Sequence, residues 1–219
     1  MKLPTPTLVV HELYRSIQGE TSFTGLPCVF VRLSACNLRC RWCDTPQAFQ
    51  GGTRMALSDV VARVSEFATP MVLVTGGEPL LQAETSTLLT ALCEQGRTVL
   101  LETSGERDIS VVDPRVHRIV DIKAPGSGEH MRNRLENLPL LTQRDQLKFV
   151  LADAADYAWA KAFIAAHQLQ GRVSEILFSP VHGELDPQAL VAWVLADDLP
   201  VRVQVQIHKY IWGADTQGV

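Results

Sequence analysis

Cysteine is scarce, with five in 219 residues, too few and too unevenly spread for the disulfide frameworks that hold small secreted domains together. Long apolar runs are missing as well: none approaches the roughly 20 residues that span a bilayer. The opening MKLPTPTLVVHELYRS breaks at His11 and Glu12 after too short an apolar run for a secretory leader. These absences make the cytoplasm the expected location and exclude a membrane partner. A basic excess is also lacking. Lys and Arg number 20 against 24 Asp and Glu, a formal net charge of -4, so no global positive field exists to hold a nucleic-acid backbone. No internal repeat, low-complexity tract or linker rich in Pro, Gly and Ser divides the chain, which therefore reads as one domain over residues 1–219. At 46% hydrophobic residues it can bury a core without covalent staples.

What is present is a rhythm of short β-branched runs and longer amphipathic stretches. Strands are expected at 28–33, 71–75, 98–103, 117–123, 146–151, 175–180 and 201–207. Helices are expected at 58–68, opening with Ser58 and Asp59; at 82–95, closing at Gly96; at 153–168, opening with Asp153; and at 187–197, preceded by Asp186. Strands separated by helices imply βαβ units and a parallel sheet, because a parallel neighbour is reached only by a crossover. Residues 104–116 and 124–144 look loop-rich, so the expected α/β fold is trimmed of helices there. In such folds the loops after the strands' carboxyl ends carry the chemistry, and SACNLRC, TGGEP, ETSGE, DIKAPG and SPVHG all stand at such ends.

Three of the five cysteines, Cys36, Cys40 and Cys43, crowd into SACNLRCRWCD with the spacing C-x3-C-x2-C. Three thiolates in one loop can grip three irons of a [4Fe-4S] cluster and leave the fourth iron open for a small molecule. Structural zinc is the alternative, but it needs a fourth ligand from a distant Cys28, Cys93 or His. The alternation in CVFVRL turns Cys28, Phe30 and Arg32 inward and Val29, Val31 and Leu33 toward covering helices. Cys28 and Cys93 then read as small buried fillers. In MVLVTGGEP the two glycines permit close approach of a ligand to the backbone.

CNLRCRWC followed by a strand ending in TGGEP resembles the radical S-adenosylmethionine (SAM) superfamily. The resemblance implies a partial, open (β/α)6-type radical SAM barrel with reduced helix content. It also implies a [4Fe-4S] cluster whose free iron chelates SAM, which the reduced cluster cleaves to methionine and a 5′-deoxyadenosyl radical. ELYRSIQGE, GLPCVFVRLSACNLRCRWCDT, ETSG, DIKAPGSG and the tail QIHKYIWG extend the likeness across most of the chain to the 7-carboxy-7-deazaguanine synthase family. That family is a group of carbon–nitrogen lyases of 7-deazapurine and queuosine biosynthesis. They convert 6-carboxy-5,6,7,8-tetrahydropterin to 7-carboxy-7-deazaguanine with loss of ammonia, regenerating SAM with the help of Mg2+.

By that resemblance Ile17, Gln18 and Gly19 contact the pterin, Arg32 pairs the substrate carboxylate, Thr75 touches substrate, and the terminal carboxylate of Val219 reaches the site. Trp42, Cys43 and Asp44 border SAM, and Thr45 offers an oxygen to Mg2+, a hard cation. Gly76, Gly77 and Glu78 hold the methionyl ammonium, while Glu102, Ser104, Asp121, Ile122 and Lys123 reach toward the ribose. Lys123 has a second reading as the partner of a nearby carboxylate, and Gln18 and Glu20 one as a solvated loop. The resemblance further implies a homodimer and an electron donor such as flavodoxin or ferredoxin. This chain departs from the family at three places: QGET where the family commonly shows QGEG, Ala35 where it has Gly before the first Cys, and Asp121-Ile122-Lys123 where many relatives carry a Ser-Pro-Lys type sequence. Two rival functions share part of these motifs. One is a radical SAM activase that makes a glycyl radical on a partner protein, and the other a noncatalytic cluster or zinc protein.

Overall fold

A computed structural model describes residues 5–214 and 216–219; the first four residues of the segment tested for a leader lie outside the described residues. One nine-stranded sheet runs through them in the order β3-β1-β2-β4-β5-β6-β7-β8-β9. The strands are β1 (Thr7–Ile17), β2 (Pro27–Leu33), β3 (Thr53–Ala56), β4 (Met71–Gly76), β5 (Thr98–Thr103), β6 (His117–Asp121), β7 (Gln146–Leu151), β8 (Glu175–Pro180) and β9 (Arg202–Val203). From β2 through β9, β3 aside, neighbours pair in parallel, while β1 runs antiparallel to both β2 and β3. The sheet curls but does not close, an open partial barrel.

The helices are α1 (Leu57–Ser65), α2 (Thr85–Glu94), α3 (Ala154–Ala166), α4 (Pro187–Ala196) and α5 (Ile207–Trp212). Asp153 caps α3 by accepting from Asp156 N at 2.9 Å, and Asp186 caps α4 from Gln188 N at 2.9 Å with Pro187 in the first turn. Gly96 follows α2 at φ +74°, the left-handed position that ends a helix. No side chain caps α1, which starts at Leu57 rather than at Ser58. Between β5 and β6, and between β6 and β7, only short 3-10 turns occur, so the helix-poor side expected from 104–116 and 124–144 is present.

Three expectations change. β1 and β3 form an unforeseen antiparallel edge, the strand expected at 201–207 shrinks to Arg202–Val203 before the chain turns into α5, and β6 stops at Asp121. The cause at β1 is a bulge between Val10 and Glu12. Before it Leu8 and Val10 face the helix-covered layer, and after it Leu13 does, so the period-2 pattern switches face in mid-strand.

Two apolar layers cover the outside of the sheet. Val29, Val31, Leu33, Val72 and Val74 pack with α1 and α2, and Leu147, Phe149, Ile176 and Phe178 pack with α3 and α4. A third cluster fills the barrel itself: Cys28, Phe30, Met71, Leu73, Leu100 and Ile119, with Tyr14 and Phe23 against it. The inward phase expected for Cys28 and Phe30 is therefore present.

Because β1 ends beside Pro27, the first residue of β2, residues 18–26 cross the barrel at the end opposite the cysteine loop. Phe23 meets His117, at the start of β6, edge to face at 5.1 Å. Ser22 and the Gln146 side chain, at the start of β7, exchange hydrogen bonds of 3.2 and 2.7 Å. This crossing is the barrel's floor.

Thr21 and Ala35, two of the positions where the chain departs from the family's glycines, both carry left-handed backbone, φ 69° and 80°. A side chain there costs about 1 kcal/mol. Ala35→Gly, at an exposed position, is expected to raise the melting temperature by about 2–4 °C, read by thermal denaturation of the apoprotein. Thr21→Gly gains less, since the Thr21 hydroxyl accepts from Phe23 N at 3.1 Å and that bond is lost.

Candidate active site

A cavity of about 740 Å3 opens at the carboxyl ends of the parallel strands. It contains all three loop cysteines and the floor residues Gln18, Gly19 and Glu20.

The cysteine loop leaves β2 at Leu33 and is clamped by the glycines at the end of β4. Gly77 N donates to Leu33 O at 3.2 Å and Glu78 N to Ala35 O at 2.8 Å. A methyl group on Gly77 would overlap the Ala35 carbonyl and Cys36 Cβ, so the glycine is required by close approach of two backbones. Farther along, Arg41 N donates to Ser127 O at 3.0 Å, and the Arg41 guanidinium grips Glu184 with two bonds of 3.0 and 2.8 Å. Arg39 N donates to Glu129 at 2.6 Å, and the Arg39 guanidinium lies over Phe49. The interleaved arginines thus fasten the loop to the turns after β6 and β8.

Cys36, Cys40 and Cys43 are free thiols, partly exposed to the cavity. Burial pushes the Cys36 and Cys40 thiols up; for Cys36 the Leu38 N–H bond opposes this, and for Cys40 the nearby Lys123 does. Cys28 lies inside the barrel and Cys93 sits against the outer layer, so neither reaches the loop. Among the described residues no three His, Cys, Asp or Glu side chains converge on a single-ion site, the arrangement structural zinc needs. Three separately placed soft donors beside an open cavity instead fit a cluster in which each iron takes its own thiolate.

Around the thiols the cavity is lined by Trp42, Asp44, Thr45, Thr75, Gly76, Gly77, Glu102, Ser104, Asp121 and Lys123. Two expected contacts are not brought there. The Glu78 carboxylate is fully buried and accepts from Leu80 N, Thr103 Oγ1, Ser104 N and Ser104 Oγ at 2.7–2.9 Å. It ties the end of β4 to the end of β5 and does not itself line the cavity. The Ile122 side chain points into the outer apolar layer, as alternation along β6 requires. Lys123 has both features weighed for it: Nζ bonds Asp121 at 2.9 Å, and the pair lines the cavity.

The cavity is also lined by Ile17, Gln18, Gly19, Arg32 and the terminal Val219. Gln18 is buried, and among the described residues its Nε2 has no partner, which leaves a donor for a ligand. Arg32 does face inward, but Nε already bonds Glu12 at 2.5 Å and Nη2 reaches Tyr14 at 3.4 Å. Glu12 and Tyr14 went unread in the sequence because β1 was unread.

The larger omission is Lys148 on β7, whose Nζ lies 2.9 Å from Glu20 Oε2 and 4.0 Å from Asp121. Burial by itself would raise the Glu20 pKa; Lys148 and a hydrogen bond from Gln206 override it and bring it to about 2. Burial of Lys148 is likewise outweighed by Glu20, Glu102 and Asp121, which hold its pKa well above the ordinary value. Glu102, which accepts from Thr75 Oγ1 at 3.4 Å, is pushed up by burial, with Lys148 opposing. Glu20 is therefore an anion and no solvated loop residue. His208 also lines the cavity, packed on Gly19 so closely that a methyl there would overlap its ring.

A half-open parallel barrel with a three-thiol loop after its first parallel strand and a glycine clamp after the second defines the class: residues 31–121 match the Radical SAM superfamily model. The chain is 51% identical over 215 residues to the 7-carboxy-7-deazaguanine synthase of Chlorobaculum tepidum, covering 97% of each chain. It is 47% identical to the enzyme of the same name from Koribacter versatilis, covering 96% of this chain and 99% of that one. This protein belongs to the 7-carboxy-7-deazaguanine synthase family. The fold is similar to the crystal structure of QueE from Escherichia coli, with a TM-score of 0.75 at 20% identity, covering 91% of this chain and 94% of that one.

Proposed function

We propose that this chain is a lyase that converts 6-carboxy-5,6,7,8-tetrahydropterin to 7-carboxy-7-deazaguanine with loss of ammonia. The observation that carries this is one cavity holding both the three-thiol loop and a floor of hydrogen-bonding and charged side chains, in a chain so similar to enzymes of that name. Cys36, Cys40 and Cys43 would hold a [4Fe-4S] cluster, which together with SAM would supply the radical chemistry.

The protein's own residues bind, orient and shield. Gln18 Nε2 and the backbone of Ile17 and Gly19 read the pterin edge, and Thr75 closes one side. Arg32 receives the substrate carboxylate with the guanidinium edge that Glu12 leaves free, a planar fork suited to that anion. The carbonyls of Gly76 and Gly77 suit an ammonium, which offers only donors. Trp42, Asp44, Glu102, Ser104, Asp121 and Lys123 complete the SAM side. Thr45 would contribute an oxygen to Mg2+, and the terminal Val219 would reach the substrate from the cavity wall.

The chain acts as a single domain, as a homodimer, in the cytoplasm, reduced by a flavodoxin or ferredoxin. An activase has no use for Gln18, Arg32 and the Glu20–Lys148 pair in the same cavity as the thiols. Anaerobic incubation of the reconstituted protein with the pterin, SAM and dithionite is expected to yield 7-carboxy-7-deazaguanine, faster with Mg2+ than without. Cleavage of SAM with no deazaguanine formed at any Mg2+ level would reject the assignment.

A further inference from the structure

The floor and the rim of the cavity are carried by segments distant in sequence. Glu20 belongs to the crossing loop after β1, whereas Asp44 directly follows Cys43 in the cysteine loop. Gln206, at the start of α5, joins them. Its Nε2 donates to Glu20 Oε1 at 2.8 Å and to Asp44 Oδ2 at 2.9 Å, using both hydrogens of one amide group. The remaining oxygen of each carboxylate is held by a lysine: Lys148 on Glu20 Oε2 at 2.9 Å and Lys209 on Asp44 Oδ1 at 2.5 Å. The result is a row of alternating character, Lys148, Glu20, Gln206, Asp44, Lys209, running from β7 across the floor to the cysteine loop.

Other bonds dock the tail without this amide. Ile207 N donates to Gly19 O at 3.1 Å, Thr21 N to Gln204 Oε1 at 2.7 Å, and Gln204 Nε2 to Ser179 Oγ at 2.9 Å. Losing the Gln206 donors therefore leaves α5 in place and releases only the carboxylates from each other.

We propose that Gln206 is a positioning residue that couples the two halves of the site, so that a ligand ordering the Glu20 floor also orders the Asp44 rim. The inference rests on the assignment of the pterin to the floor and SAM to the rim. Coupling of this kind is reciprocal: SAM binds more tightly when the pterin is present, and the pterin more tightly when SAM is. It also keeps the radical source in register with its target, since small misplacements of reacting groups are costly.

The test compares the reconstituted wild type with Gln206→Leu, of similar size but without donors, and with Gln206→Asn, whose shorter amide cannot span both carboxylates. SAM affinity is titrated with and without 6-carboxytetrahydropterin, through the change SAM makes in the electron paramagnetic resonance signal of the reduced cluster. Melting temperature and deoxyadenosine accumulated per deazaguanine are read alongside. The wild type is expected to bind SAM at least about fivefold more tightly with the pterin present. Both variants should melt only a few degrees lower, for the lost hydrogen bond to the buried Glu20 carboxylate, keep the pterin-free SAM affinity, lose most of that enhancement, and accumulate several times more deoxyadenosine per product. The proposal is overturned by a wild type without enhancement, by variants that retain it, or by variants whose stability and pterin-free affinity fall together. A wild type that makes no deazaguanine would instead bring down the assigned reaction, a result separate from normal turnover in all three proteins.

Discussion

Cys40→Ser is expected to lower turnover by at least about a thousandfold, about 4 kcal/mol in transition-state stabilisation, and to leave the protein unable to retain its full iron. Nothing in the described structure can substitute for a lost loop thiol. Cys28 is enclosed among Phe30, Met71, Leu73, Leu100 and Ile119, and Cys93 sits against the outer layer of the sheet. Serine offers a harder and far less acidic ligand than a thiolate, and soft iron sites discriminate strongly against it. Iron and sulfide analysis of anaerobically reconstituted protein, together with the visible absorbance of the cluster, checks the result. Cys93→Ser serves as the control and should retain both iron and turnover. A Cys40→Ser protein with wild-type iron content and activity would refute the three-thiol site.

The second large effect is expected at Lys148. Its ammonium is buried against Glu20, with Glu102 and Asp121 also acting on it. Lys148→Met leaves those carboxylates without their shared cation. Breaking one half of a buried pair costs about 3–5 kcal/mol, which for a chain of this length is a fall in melting temperature of about 6–20 °C. Substrate affinity should fall with it, because Glu20 lies in the floor beside Gln18.

The pH dependence separates this effect from a simple packing defect. Glu20 is held at a pKa of about 2 against an ordinary 4.5. A depressed carboxylate contributes stability that is fully present above about pH 4.5 and disappears as pH falls through the folded value. The stability gap between wild type and Lys148→Met is thus widest near neutrality and narrows between about pH 4.5 and pH 2. Denaturant unfolding at a series of pH values measures it, and a gap constant across that range would show that the ion pair is not its origin.

Much of the parallel sheet was legible because its signals are local. Runs such as CVFVRL and MVLVT carry their strand character in consecutive residues, and Asp153, Asp186 and Gly96 mark helix ends through bonds to their own neighbours. β1 was not legible, since its bulge moves the apolar face from Val10 to Leu13 and mimics the irregular pattern of a loop. The strand expected at 201–207 overran β9, which ends at Val203, because VRVQVQI alternates by composition, and α5 beyond it carried no helical signal that was read. Only docking of Ile207 onto Gly19 decides where that alternation stops.

The same division runs through the site. C-x3-C-x2-C and the glycines of TGGEP declare themselves in sequence, because a metal cluster and a close backbone approach each demand particular residue types at short, fixed separations. Sequence by itself therefore determined the cluster loop, the parallel architecture and the family. Tertiary structure alone decided that Glu78 is consumed by Leu80, Thr103 and Ser104, that Arg32 is shared with Glu12, and that Lys148, Glu20, Gln206, Asp44 and Lys209 stand in one row. Those partners are separated by up to 186 residues. Electrostatic and hydrogen-bond partnerships depend on distance in space, and distance in space between remote segments is set by the curl of the sheet and the crossing of its floor.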